Sequence, residues 1–345
     1  MDINLPRSLD TNNSLDFAYM LSAITPTEAV TFYPTFTWAR PFGMLLTMAA
    51  IKQMRARFID IPFSMNQELK QCGKYAAYMG FFGAISKELR IGNLPGSVSG
   101  KDNYMQITEL SMPQLRSESI ENGRYEEDGD IIERKARELS KILCQDNIEL
   151  LNLLTHCIRE MIRNVPEHSG VDNIWICGQA WKENGTAEIA VLDEGIGIAS
   201  SLRKNRFYRD SVTSDDIALK LAVEPGVSKA FAPGHEKSDP SGWRNSGFGL
   251  YVLSELCQRL SGSFCIVSGG NYLIKESGLE KTGRTALKGT AVKIKIATHE
   301  FNNFKSLNAA IIQDGQKISS KNKMAFKKAS HPSRGLMLQN DKNIN

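Results

Sequence analysis

The 345-residue chain has no CxxC pair and no Cys/His cluster. Its six cysteines, Cys72, Cys144, Cys157, Cys177, Cys257 and Cys265, lie mostly inside apolar runs. That pattern argues against both a zinc site and a disulfide framework, and it fits a reducing cytoplasm. Long hydrophobic runs are missing too. The longest, around Pro41–Ile51, is too short to cross a bilayer, and Lys52, Arg55 and Arg57 follow it. Met1–Asp10 lacks the basic-then-apolar pattern of a signal peptide. No excess of one charge is present either: the net charge is +4, with 23% charged residues. Composition therefore gives no reason to expect nucleic acid as a partner, and no internal repeat is visible. With 41% hydrophobic residues, the chain reads as a soluble globular protein, long enough for two domains and a tail.

What is present begins with a small alternating pattern. Ala29–Tyr33 reads as a strand, Phe42–Arg55 as a helix, Phe58–Pro62 as a strand and Gln67–Phe82 as a helix. Strand-helix-strand-helix in this space predicts a small α/β domain over residues 1–112, with Tyr104–Leu110 returning as an edge strand. The polar stretch within residues 113–130 suits a linker. Ile131–Cys144 and Asn147–Arg163 then read as helices, with Asp146 or Asn147 as cap of the second. Asn173–Trp181 and Thr186–Leu192 read as strands joined by a turn at Glu183-Asn184-Gly185. Gly249–Leu260 is a further helix, and Ser263–Ser268, Tyr272–Lys275 and Thr290–Ile296 are strands. This order fits helices layered on a mainly antiparallel sheet across residues 131–300. Residues 301–345 are basic and poor in large apolar side chains, so a mobile tail is expected.

Four short segments carry residue types suited to nucleotide chemistry. Glu160 and Asn164, four apart on one helix, share a face. Asn offers a neutral oxygen suited to Mg²⁺, and Glu one turn earlier could deprotonate a water or hydroxyl facing a phosphate. Asp193-Glu194-Gly195-Ile196-Gly197 follows an apolar strand. A carboxylate there can accept a hydrogen bond from an exocyclic amine, and Gly195 and Gly197 let the backbone turn close to a flat base. A dinucleotide reading of Gly195–Ser200 fails, because its third glycine and its parallel βαβ unit are both missing. Ser246-Gly247-Phe248-Gly249-Leu250 opens a helix whose amides could receive phosphate oxygens. Gly289-Thr290 opens the last strand.

The order and placement of these segments resemble the GHKL ATPase superfamily. That group holds sensor histidine kinases, anti-sigma-factor serine kinases, MutL mismatch-repair proteins, type II topoisomerases and the large heat-shock chaperone ATPases. The resemblance covers about Ile148–Thr298. It matches Glu160–Asn164 to the N box, Asp193–Gly197 to the G1 box, Gly247–Leu250 to the G2 box and Gly289-Thr290 to the last glycine motif. It implies Mg-ATP in a Bergerat fold, a two-layer α/β sandwich. By that match Glu160 is the general base, Asn164 the magnesium ligand and Asp193 the adenine reader. Gly195, Gly197, Ser246, Gly247, Phe248, Gly249, Leu250 and Thr290 complete the nucleotide site, and Ser200–Ser246 is the ATP lid. Two departures stand out: Glu167 replaces a basic residue found in many kinases of the group, and Pro166 threatens the helix end. Arg163, Lys220, Lys229 or Arg244 would then supply positive charge to the phosphates.

Histidine is scarce, five in all, and His156 and His168 are the only ones before the lid. Both lie in or beside the N box rather than on a preceding hairpin, so histidine autophosphorylation is not expected, and His168 is read as lining the pocket or helix end. Only a short basic tail follows residue 300, so a DNA machine with a transducer domain is not expected. The N-terminal pattern resembles the STAS-like domains that partner anti-sigma kinases, which implies a protein partner. The chain is thus expected to be an ATP-binding regulatory protein that hydrolyses ATP slowly and switches its affinity for a protein, with no membrane involved and a homodimer compatible with the sequence. An anti-sigma-type serine/threonine kinase and a non-catalytic nucleotide-binding module are the alternatives.

Overall fold

The computed structural model describes residues 1–97, 103–144, 146–231, 246–299, 303–330 and 333. The N-terminal unit contains β1 (Asp2–Asn4), β2 (Ser8–Leu9), α1 (Thr11–Ala23), β3 (Val30–Tyr33), β4 (Trp38–Ala39) and α2 (Pro41–Arg57). β5 (Phe63–Met65), α3 (Gln71–Tyr78) and α4 (Phe81–Ile85) complete it. β1, β3 and β5 form a parallel three-stranded sheet, and β2 pairs with β4. Pro41 stands at the first turn of α2, where its fixed φ and missing N–H do no harm. The strand expected at Phe58–Pro62 is instead a turn, closed by Ile61 N donating to the Phe58 carbonyl at 3.1 Å, and pairing begins only after Pro62. The single helix expected over Gln67–Phe82 is split in two at Gly80, whose φ is +82°.

The rest of the fold begins at β6 (Tyr104–Ser111), followed by α5 (Met112–Glu121), α6 (Asp128–Lys141) and α7 (Ile148–Asn164). β7 (Asn173–Trp181), β8 (Thr186–Asp193), α8 (Ile198–Arg203) and α9 (Asp215–Ala222) come next. α10 (Gly249–Arg259), β9 (Ser263–Glu276), β10 (Leu279–Ala297) and α11 (Phe304–Lys321) close the chain. An antiparallel sheet runs in the order β6-β7-β8-β10-β9. Asn147 caps α7, its side chain accepting from Leu150 N at 3.0 Å.

Side-chain alternation explains the layers. Ile174 and Ile176 on β7, and Ile189 and Val191 on β8, point to a core shared with α6, α7, α10 and α11. Their neighbours Trp175, Cys177, Ala190 and Leu192 join the opposite core, built with α2 and the rest of the N-terminal unit. Both faces of the strands are therefore apolar, as expected for a sheet covered on both sides. Residues 104–300 form the α/β sandwich, and the N-terminal unit adds a layer to its second face.

That packing moves the expected boundaries. β6 was assigned by sequence to residues 1–112, yet it is the edge strand of the five-stranded sheet. The segment 113–130 is no linker, since it forms most of α5 and the start of α6, where Arg116 pairs with Asp128 at 2.7 Å. Its polarity is that of two amphipathic helices with wet outer faces. Nor are all of residues 301–345 a free tail. α11 packs on α7 and α10, burying Phe304, Ile311 and Ile312, so a few well-spaced apolar residues were enough.

Candidate functional site

The end of β8 carries a buried carboxyl into the site. Asp193 is 5% exposed, and its Oδ1 accepts from Gly195 N at 2.8 Å. Burial pushes its carboxyl up to about 6, against the lowering effect of the Gly195 and Thr290 amides. Thr290 sits opposite it in register on β10. The turn Glu194–Gly197 is pinned from two sides: Ile196 N donates to the Ser169 carbonyl at 2.9 Å, and Ile198 N to Ser268 Oγ at 2.9 Å. Ser268 Oγ in turn donates to the Gly289 carbonyl at 3.0 Å, tying the turn to β9 and β10.

α7 delivers Asn164 at its last residue, and Pro166 does not break the chain direction there. The helix continues as one wide π-type turn over Val165–Ser169. Asn164 lines a cleft together with Asp193, Gly197, Gly247, Gly249, Leu250 and Thr290. The apolar walls are Met161, Val165, Val191, Ile198, Leu202 and Val292. Segments separated by more than a hundred residues thus converge on one cavity.

Glu160 behaves differently. It is fully buried and does not line the cleft. Its Oε2 accepts from Arg163 Nη2 at 2.9 Å and its Oε1 from Arg159 Nη2 at 3.2 Å. Burial alone would raise the Glu160 carboxyl, but the Arg163 and Arg159 charges overcome it and hold it below the ordinary glutamate value. Arg159 also binds Glu133 at 2.9 Å and His156 Nδ1 at 2.8 Å. Burial, with the Arg159 charge beside it, drives the imidazole down to about 3, so His156 is neutral. The carboxylate lies under the first turn of α10, where a Cβ on Gly249 would come within 2.5 Å of Glu160 Oε2.

The glycine-rich turn before α10 is shaped by its backbone. Gly247 has φ +71°, and a Cβ there would meet the Val227 carbonyl oxygen at 2.2 Å. Ser246, Phe248 and Gly195 support the cavity without lining it. Ser246 Oγ accepts from Ser330 N at 2.9 Å, and Phe248 is wholly buried with its ring edge-on to Tyr251.

Over the cleft, α8, α9 and the chain to Phe231 form a small apolar cluster around Tyr208, Val227 and Phe231, joined by Phe326 from beyond α11. Phe326 N donates to the Gly226 carbonyl at 2.8 Å, and Tyr208 donates its hydroxyl to the Met324 carbonyl. The described part of the expected tail after α11, residues 324–330, is thus a strap against Tyr208, Gly226 and Ser246 before α10. Of the four cations proposed for the phosphates, Lys229 lines the cleft, and burial lowers its amine. Arg163 is engaged with Glu160, and Lys220 is exposed and outside the lining. Arg244, the rest of the lid at 232–245 and the His168 side chain lie outside the described residues.

Sequence reasoning missed the cleft's walls. Met161 and Val165, four apart, share one helix face beside Asn164, and Val292 lies two residues past Thr290 on the same strand face, so periodicity could have found them. Ser268 and Ser169, which fix the turn, carry no such signal.

Residues 150–300 match the family model of histidine kinase-, DNA gyrase B-, and HSP90-like ATPases. Comparison with the curated proteins and with the solved structures gave no match. No helix among the described residues is long and apolar enough to cross a membrane. The family match, together with helices packed on an antiparallel sheet, supports an ATP-binding α/β sandwich of the GHKL type over residues 150–300.

Proposed function

We propose that the chain binds Mg-ATP in this cleft and hydrolyses it slowly, using the nucleotide state to change its affinity for a protein partner in the cytoplasm. The observation that carries the reading is the convergence of Asn164, Asp193, Gly247, Gly249 and Thr290 on one cavity. Asp193 accepts the adenine amine while Val191, Met161 and Val292 flank the ring. The amides of the turn at Gly247–Gly249 and the Lys229 amine meet the phosphates. The donor set fits a magnesium ion bound chiefly through substrate: Asn164 offers one hard neutral oxygen, and phosphate oxygens and water supply the others. When bound, the ion neutralises phosphate charge.

In this reading Glu160, once released by Arg163 and turned into the cleft, takes the proton of the attacking water as the water oxygen bonds to the γ-phosphorus and the bond to ADP breaks. Slow turnover is in keeping with its surroundings, because a carboxylate shared by two guanidiniums is a weak base until Arg163 shifts away. On the STAS-like reading of the N-terminus, a regulatory protein partner would dock on that unit.

The test incubates the purified full chain with Mg²⁺ and γ-labelled ATP. Free phosphate supports the switch, label on protein supports the kinase alternative, and nucleotide retained without turnover supports the binding module. An Asp193→Asn variant with unchanged ATP affinity means that the site is misassigned.

A further inference from the structure

The base-reading floor of the cleft is made by two adjacent pieces of backbone, Asp193-Glu194 and Lys288-Gly289-Thr290. They touch closely: a Cβ on Gly289 would lie 2.0 Å from the Asp193 carbonyl oxygen. Each piece is gripped from behind by the same turn of α2. Lys52 Nζ meets Glu194 Oε2 at 2.8 Å, with both side chains about two-thirds buried or more. The same ammonium lies 4.5 Å from the centre of the buried Trp175 ring, which fixes where it can sit. Gln53 pairs its amide with a peptide group, its Nε2 donating to the Lys288 carbonyl at 3.0 Å and its Oε1 accepting from Lys288 N at 2.9 Å.

α2 cannot slide to relax these contacts. At its other end Phe42 N donates to Glu188 Oε1 at 3.1 Å, and Arg40 lies 3.9 Å from the same carboxylate. The helix is therefore held along β8 at both ends, at Glu188 and at Glu194. Neither Lys52 nor Gln53 lines the cleft, so neither can touch a nucleotide held there. What they hold are the residues next to Asp193 and two before Thr290, Glu194 and Lys288.

We propose that Lys52 and Gln53 are positioning residues that set the pocket's preference for adenine over guanine, making the N-terminal unit part of the nucleotide-specificity device. The inference rests on the ATP-binding reading above. A buried carboxylate accepts from the adenine amine and meets an unfavourable acceptor, the guanine carbonyl, at the same place. Loosening the floor weakens that discrimination while leaving phosphate contacts in place.

The experiment measures Kd for Mg-ATP and Mg-GTP with the full chain, its Lys52→Met/Gln53→Ala variant and Lys52→Arg, alongside thermal unfolding. The double variant is expected to bind ATP about tenfold more weakly with GTP binding unchanged, the loss of one shielded ion pair and a paired amide. Lys52→Arg is expected to keep most of the ATP preference. Equal losses for ATP and GTP, or an unchanged ratio in a chain that does bind ATP, overturn the positioning role. If the double variant does not fold, Lys52→Met alone is read in the same way. No ATP binding by the unaltered chain overturns the parent reading, and this inference with it.

Discussion

The pH dependence of nucleotide affinity follows from Asp193. Its carboxyl titrates at about 6 because it is buried at the end of β8. In the proposed site the Asp193 carboxylate reads the adenine amine, so below pH 6 a proton competes with ATP. Roughly nine-tenths of the group is protonated at pH 5 and roughly one-tenth at pH 7, so Kd is expected to rise about tenfold over that interval, or about 1.4 kcal/mol. Above pH 7 the curve is flat. The terminal phosphate of a nucleotide also titrates near pH ~6, so the comparison is with Asp193→Asn, which keeps an oxygen but does not titrate. Calorimetric Kd values from pH 5 to 8 on both proteins isolate the Asp193 contribution. Identical slopes would refute the reasoning. Stability of the nucleotide-free protein moves the opposite way to affinity: a raised folded-state value means stability fully present below the unfolded pKa of ~3.9 and lost as pH rises through about 6. The loss is about 3 kcal/mol, and denaturant titrations across pH 4–7 measure it.

Glu160→Ala removes the buried carboxylate that Arg159 and Arg163 share, leaving them Glu133 and Glu167, and is expected to destabilise the fold by about 3 kcal/mol, so loss of activity in it says little. Glu160→Gln is the cleaner probe of the base: phosphate release should fall while ATP binding persists, and unchanged turnover would remove Glu160 from the chemistry. Gly247→Ala forces a Cβ against the Val227 carbonyl at φ +71°, so ATP binding should be lost at a stability cost of at least about 1–3 kcal/mol, read by calorimetry and melting. Phe326→Ala leaves a void in the lid cluster and should cost about 3–5 kcal/mol if the strap unfolds with the body. Hydrogen exchange at Gly226 and Tyr208 should rise in that variant, and unaltered protection there would show that the strap does not hold the lid.

The sandwich over residues 131–300 was legible because its signals are local. Periodicity marks α7 and α10, alternation marks β7 and β8, and Asn164, Asp193, Gly247 and Thr290 sit where short motifs place them. What could not be read depends on distant segments. The ion pairs around Glu160 come from Arg159 and Arg163, whose spacing is visible, but whether they turn inward depends on the burial of the whole helix face. The strap was misread because only Phe326 and its neighbours anchor it, and a single aromatic in a Lys-rich stretch has no period. β6 was assigned to the wrong unit because an edge strand looks alike whichever sheet it joins.

The second covering of the five-stranded sheet also bears on how the chain is made. α2 contacts β8 through Phe42 and Glu188, residues 146 apart, and β10 through Gln53 and Lys288, 235 apart. α1 and α4 cover part of α2 within the N-terminal unit, but its packing on β8 and β10 waits for strands made much later. At about 5–20 residues per second, the contact between Gln53 and Lys288 is delayed by roughly 10–50 s on the ribosome. The sheet's second face is therefore completed by a helix that waits for its strands.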